Sequence, residues 1–372
     1  RFQIYHDSRD IIWITTFGNG LFAVDENTGK KYHYTADKDL STNYLLCITE
    51  DTSGEVWVGT ELGGVNKISL TNYPFDIFYP TPGGNADRDN AVRLIYQDVE
   101  GRYWFGTRDG NLQVCDSTLH QLYKHRITGG LPFTIAEDTL GYKWLGTKGG
   151  GLLILSPQGD RIIKEYTLND QTRQSSSSNN IFTIMRDSKN RMWLATFGGG
   201  LHLAEGSREQ LRFKQFSFDN RHQNMMRSII QDKTGIVWIG TNDGLDRYNG
   251  YEFKHYKHDK YDKNSIANNY IVDIIEDKNG YIWVSTIGGL SRINPDKDEI
   301  KNYYSKEDSG NLSNSNLWQI LCTKDNRLIA STIDGLNVYD KNKDKFTRKE
   351  ANSCFLFHIF HKLIFSTVFC LI

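Results

Sequence analysis

Proline is scarce in this sequence, 6 in 372 residues, and neither sign of charge is in excess. Lys and Arg total 44 against 45 Asp and Glu, a formal net charge of -1. With no basic surplus to neutralise phosphates, a nucleic-acid partner is not expected. Cysteine is sparse too: Cys47, Cys115, Cys322, Cys354 and Cys370 show no C-x-x-C pair and no repeated spacing. That argues against a disulfide framework or a zinc site and leaves small core residues as the expectation. His33, His255 and His258 lack metal-ligand spacing, and no Ser/His/Asp set, carboxylate pair or phosphate loop recurs. Catalytic residues, metals and cofactors are therefore not expected. The chain opens on Arg1 with no signal-like stretch before its first motif, which reads as a fragment or a processed form.

What the sequence has in quantity is glycine and aromatics: 33 Gly, 20 Tyr, 19 Phe and 8 Trp. Such a composition suits short strands joined by tight turns. Seven tryptophans keep one register: Trp13, Trp57, Trp104, Trp144, Trp193, Trp238 and Trp283, each followed three residues later by threonine. An eighth copy places Ile329 at the tryptophan position and Thr332 after it. Successive threonines lie 44, 47, 40, 49, 45, 45 and 46 residues apart, a period that signals propeller blades.

Two further positions repeat. Asp stands six residues before the tryptophan in seven copies: Asp7, Asp51, Asp98, Asp138, Asp187, Asp232 and Asp277. Isoleucine stands three residues before that position in all eight: Ile4, Ile48, Ile95, Ile135, Ile184, Ile229, Ile274 and Ile320. Asp with Gly three residues on, as at Asp51 and Gly54, is the signature of a type I turn between two strands. The fixed isoleucine marks a packed layer between sheets. After each threonine come a glycine turn, an apolar strand and, in most copies, an aromatic-rich run such as residues 31–34 or 253–256.

Four strands per copy predict an all-β chain: a β-propeller of four-stranded antiparallel blades over residues 1–350, written in eight repeats. The ring size stays open between seven and eight blades. In the first five copies Leu or Val lies five residues after the threonine, in the last three only four. The change falls beside the irregular stretch 204–210, so a slice across two rings, with a boundary near 204–224, is a third arrangement. Ser/Asn clusters between copies and the glycine turns emerge on one face, and the Asp turns on the other.

The run Ile-x-x-Asp-x-x-Gly-x-x-Trp-x-x-Thr-x-x-Gly-Gly-Leu, seen best at 232–241 and 51–60, resembles the two-component regulator propeller repeat. The resemblance covers residues 1 to about 340. It implies the extracytoplasmic sensor region of a hybrid two-component histidine kinase of the Bacteroidota type, on the periplasmic side of the inner membrane. It further implies a non-enzymatic module that recognises carbohydrate fragments, with an oligosaccharide as ligand and a homodimer in the intact parent. No kinase, receiver or immunoglobulin-like segment is visible here, so contact with a membrane would come only through segments not present. A propeller enzyme such as a polysaccharide lyase, and a structural or dimerising spacer, are the alternatives.

Recognition should reside where copies differ. Arg93 and Arg227 take the place, five residues before the Asp, that holds Phe133, Phe182 or Trp318 in other copies. A cation among aromatics can stack on or hydrogen-bond a sugar or uronate, and ordinary contacts between blades are the competing role. Asp109, Asp243 and Asp334 precede turn glycines and can bond sugar hydroxyls or form the turn. The hydrophobic stretch 351–372 breaks the pattern. Its length approaches a membrane span, but His358, His361 and Lys362 lie inside it, so a truncated or disordered end is expected.

Overall fold

The computed structural model describes residues 3–68, 76–84, 89–168, 176–305, 312–323 and 326–349; the tail 351–372, with Cys354 and Cys370, lies outside them. The repeat becomes structure through one side chain. In seven blades the fixed Asp accepts the tryptophan indole N–H at 2.7–3.0 Å, joining two strands across six residues. Its second oxygen accepts the backbone N–H groups two and four residues on, as Asp51 does from Ser53 and Glu55. The turn's fourth residue then takes positive φ: Gly54, Gly101, Gly141, Gly235 and Gly280, with Asp10, Asn190 and Asn326 in the other three copies. The fixed threonine does the same work at the other end. Thr60 Oγ1 donates to Gly64 O at 2.8 Å and accepts Gly63 N–H at 2.8 Å, which closes the glycine turn.

These local ties give eight four-stranded antiparallel sheets, each of consecutive strands: residues 3–34, 45–78, 92–126, 131–166, 181–216, 226–256, 271–303 and 317–349. The structure is an eight-bladed β-propeller. Among the described residues the helical content is a single 3-10 turn, Ser176–Asn179. The stretch 204–224 forms the ends of the outer strands of blade five and its link to blade six. The first strand of every blade touches that of both neighbours, and the ring closes where blade one meets blade eight.

Each blade buries its tryptophan against the isoleucine layer of the next. Trp238 packs with Ile271, Ile274, Ile282 and Val284, and Trp283 with Leu317, Ile320 and Leu328. At the closing seam Ile329 takes the tryptophan's place, against Ile4 and Ile12. Two belts of hydrogen bonds reinforce these seams. In the inner one, the residue before the fixed isoleucine reaches the backbone of the next blade. Gln319 accepts Ile4 N–H at 3.0 Å, Gln3 accepts Ile48 N–H at 2.7 Å, and Thr183 donates to Arg227 O at 3.0 Å. In the outer belt, Gln97, Gln231 and Glu276 accept backbone N–H groups from the preceding blade's Asp turn at 2.7–2.9 Å.

Asp273 is the one carboxylate among the described residues of the inner belt, accepting Ile274 N–H at 2.9 Å and Ile320 N–H at 3.4 Å. Burial pushes its carboxyl up to about 6. A raised folded value means the folded state holds a proton that the unfolded chain has lost. The penalty is therefore absent below about pH 4 and complete above about pH 6, with an upper bound of about 3 kcal/mol. Asp273→Asn keeps a carbonyl acceptor without the charge. It is expected to raise stability by about 1–3 kcal/mol at pH 7.5 and to be neutral at pH 4, read from urea midpoints at the two pH values.

Candidate functional site

One end of the central channel is built from residues that do not repeat. In blades two to eight the register of the first strand slips by one residue close to its start. The residue left over by each bulge is Leu46, Arg93, Phe133, Phe182, Arg227, Val272 or Trp318. Bulges re-aim side chains at the rims of closed sheets, and here they do so at the mouth where the glycine turns and linkers emerge. The residue after each fixed threonine joins this rim: Phe17, Glu61, Arg108, Lys148, Phe197, Asn242, Ile287 and Ile333.

Along one arc the rim is a continuous stack. Phe133 and Phe182 lie 4.7 Å apart at 21°, and Phe182 and Phe197 4.9 Å apart at 15°. The Arg227 guanidinium continues it, 5.2 Å from the Phe197 ring centre and 4.6 Å from that of Tyr270. Arg227 also donates to Asn242 Oδ1 at 2.9 Å and to the Tyr270 hydroxyl. Among the described residues no carboxylate pairs with it. Burial lowers the guanidinium, and the Tyr270 hydroxyl opposes that shift. On the neighbouring arc, in blades two and three, Arg93 and Arg108 share one partner, Glu61, with Arg93 at 3.8 Å. Lys148, in blade four, is exposed.

The sequence-selected residues thus divide. Arg93, Arg227 and Trp318 each take the bulge position of their own blade, in blades three, six and eight. Asp109 and Asp243 serve the turns: Asp109 accepts from Thr107 and Asn111 and pairs with Arg126 at 3.3 Å, while Asp243 pairs with Lys257 at 2.7 Å. Asp334 accepts Asn314 Nδ2 at 2.6 Å. Phe197, Tyr270, Glu61 and Lys148 were not selected. The signal that finds Phe197, Glu61 and Lys148 is the position after the fixed threonine, which differs in nearly every copy, whereas Tyr270 ends the linker before Ile271.

The histidines lie off the rim. His33 faces Asn19 O at 2.8 Å, His258 faces Ile266 O at 2.8 Å, and His255 contacts Asp246 at 2.6 Å. His202 is buried in blade five, which lowers it to about 4 and keeps it neutral. Among the described residues no His, Cys, Asp and Glu cluster can hold a metal ion.

The family model of the two component regulator propeller matches five segments, 39–61, 87–109, 175–198, 221–243 and 265–288. Histidine kinase P4 of Formosa agariphila is 39% identical over 56 residues, covering 15% of this chain and 4% of that protein. The extracellular domain of the two-component system BT3049 of B. thetaiotaomicron aligns at 18% identity and TM-score 0.44, over 94% of this chain and 57% of that one. The chain therefore spans little more than half of that relative. The computationally designed Ika8 protein aligns at 15% identity and TM-score 0.63, over 88% of this chain and 92% of its own, a likeness of fold alone. Five of the eight repeats of this propeller, those of blades two, three, five, six and seven, thus match the two component regulator propeller model.

Proposed function

We propose that the chain is a non-catalytic recognition module from the extracytoplasmic sensor region of a two-component signalling protein, and that its channel mouth takes an oligosaccharide. One observation carries this reading. Seven blades place one bulge residue at the mouth, and that residue takes five types in seven blades while the scaffold around it repeats. Half-buried aromatic rings, guanidinium groups and amides at a concave opening are the groups that hold sugars in water. The regulator repeat supports placement in a signalling chain. Kinase output and dimerisation belong on this reading to the longer parent.

Calorimetry against a panel of oligosaccharides tests it, with tryptophan fluorescence as a second readout. Trp318 is only half-buried at the mouth, whereas the other seven are buried in the blades, so a bound sugar should change its emission selectively. Heat with at least one glycan, diminished in Phe182→Ala by about tenfold, is the expected result. Silence across the panel, or new reducing ends released from a polysaccharide, overturns it.

A further inference from the structure

The rim has a sign. Its two sets of positions bring four cations, Arg93, Arg108, Lys148 and Arg227, against one carboxylate, Glu61, on a chain whose net charge is -1. The turn aspartates one residue further along do not cancel this excess, because Asp109 and Asp243 each have a cation of their own, Arg126 and Lys257. Asp334 is left with Asn314. Four cations less Glu61 and Asp334 still leave two positive charges among these rim positions and their turns.

The aromatic arc adds to the same sign. Phe182 is covered on both faces, by Phe133 and Phe197, and Phe197 by Phe182 and Arg227. What these rings present to the opening is therefore their edge, and a ring's edge is the positive part of its quadrupole. Arg227 ends the stack as a planar fork with no carboxylate partner among the described residues, held in place by Tyr270 and Asn242. A fork of this kind suits a planar two-oxygen anion better than a lone hydroxyl.

We infer that the channel mouth selects a carboxylate-bearing ligand, a uronate on the carbohydrate reading, with the carboxylate against Arg227. This rests on the mouth being the recognition site, and the experiment separates the two ideas. The probes are digalacturonate, its dimethyl ester, neutral disaccharides and phthalate, titrated into the full chain. The expected result is a preference of tenfold or more for the acid over its ester, weakening with added salt. Arg227→Gln should remove that preference, bringing the acid's affinity to that of the ester in the same variant, while Arg227→Lys should keep part of it. A thermal melt like the parent's shows that the variants fold.

Equal binding of acid and ester, or an unchanged preference in Arg227→Gln, overturns the inference while leaving a sugar site intact. Binding of phthalate through Arg227 with no sugar bound would keep the anion site and discard the carbohydrate reading. No binding of any probe discards both.

Discussion

Asp51→Ala is expected to cost about 4 kcal/mol of stability and to loosen two blades at once. The carboxylate accepts the Trp57 indole at 2.7 Å, Ser53 N–H at 2.8 Å and Glu55 N–H at 2.9 Å. It also accepts the hydroxyl of Tyr103, which belongs to the next blade. Trp57 and Tyr103 are buried at 1% and 2% exposure, so no water can replace the lost acceptor. Each buried donor left unpaired costs about 1–3 kcal/mol, and four are stranded here, two of them at the turn surface. Urea unfolding followed by tryptophan emission measures the loss, and a change below about 1 kcal/mol would show that the aspartate is not the hub of its blade.

The same residue links stability to acid. Burial alone would raise the Asp51 carboxyl, but the bonds from Ser53, Tyr103, Trp57 and Glu55 outweigh it and hold it below the ordinary aspartate range. Asp98, Asp138 and Asp187 are lowered in the same way. A lowered folded value contributes stability above the unfolded aspartate pKa, near 4, and that contribution is lost as pH falls further. Four such groups should make acid unfolding steep below about pH 4, opposite in sign to the Asp273 effect at higher pH.

Gly151→Ala should be nearly as damaging, for a different reason. Gly151 has φ +83°, and an added Cβ would lie 2.2 Å from Tyr166 O and 3.2 Å from the Asn179 side chain. The backbone term is about 1–2 kcal/mol. The contact is with a carbonyl of the paired outer strand, which cannot retreat without opening the sheet, so the total should exceed about 3 kcal/mol. Gly101→Ala separates the two terms, since Gly101 has φ +81° but nothing within 4 Å of the added Cβ. It should cost only about 1 kcal/mol, and similar losses in both variants would show that packing at Gly151 does not matter.

Much of this was legible in the residues because the blade is held by short-range bonds. Asp, Trp, Thr and Gly meet partners within six residues, so their spacing is the structure. The ring size was not legible, because it depends on the angle between blades, set by side chains about 45 residues apart such as Gln3 and Ile48. The inner belt escaped for a chemical reason: Gln3, Thr183, Asp273 and Gln319 share the ability to bond a neighbouring backbone but no residue type. At the rim, Arg93, Arg227 and Trp318 could be picked from their shared position, but the bulge that aims them leaves the repeat period unchanged. Asp109 and Asp243 each meet a cation, Arg126 and Lys257, on another strand or linker, a pairing that the spacing of the turn residues does not announce.

Because each sheet is made of consecutive strands, no strand is lent across the gap between blade eight and blade one. Seven seams join stretches that are neighbours in the chain, while the Ile4–Gln319 bond spans 315 residues. Closing that loop costs only about 1.7 kcal/mol more in chain entropy than closing one of 45 residues. The closing seam therefore carries only a small extra entropic cost beside the seven others. It is the seam where Ile329 stands in for a tryptophan and Arg327 reaches across to Glu26 and Asp10. The propeller is thus a row of neighbours in the chain whose two ends meet at one long-range seam.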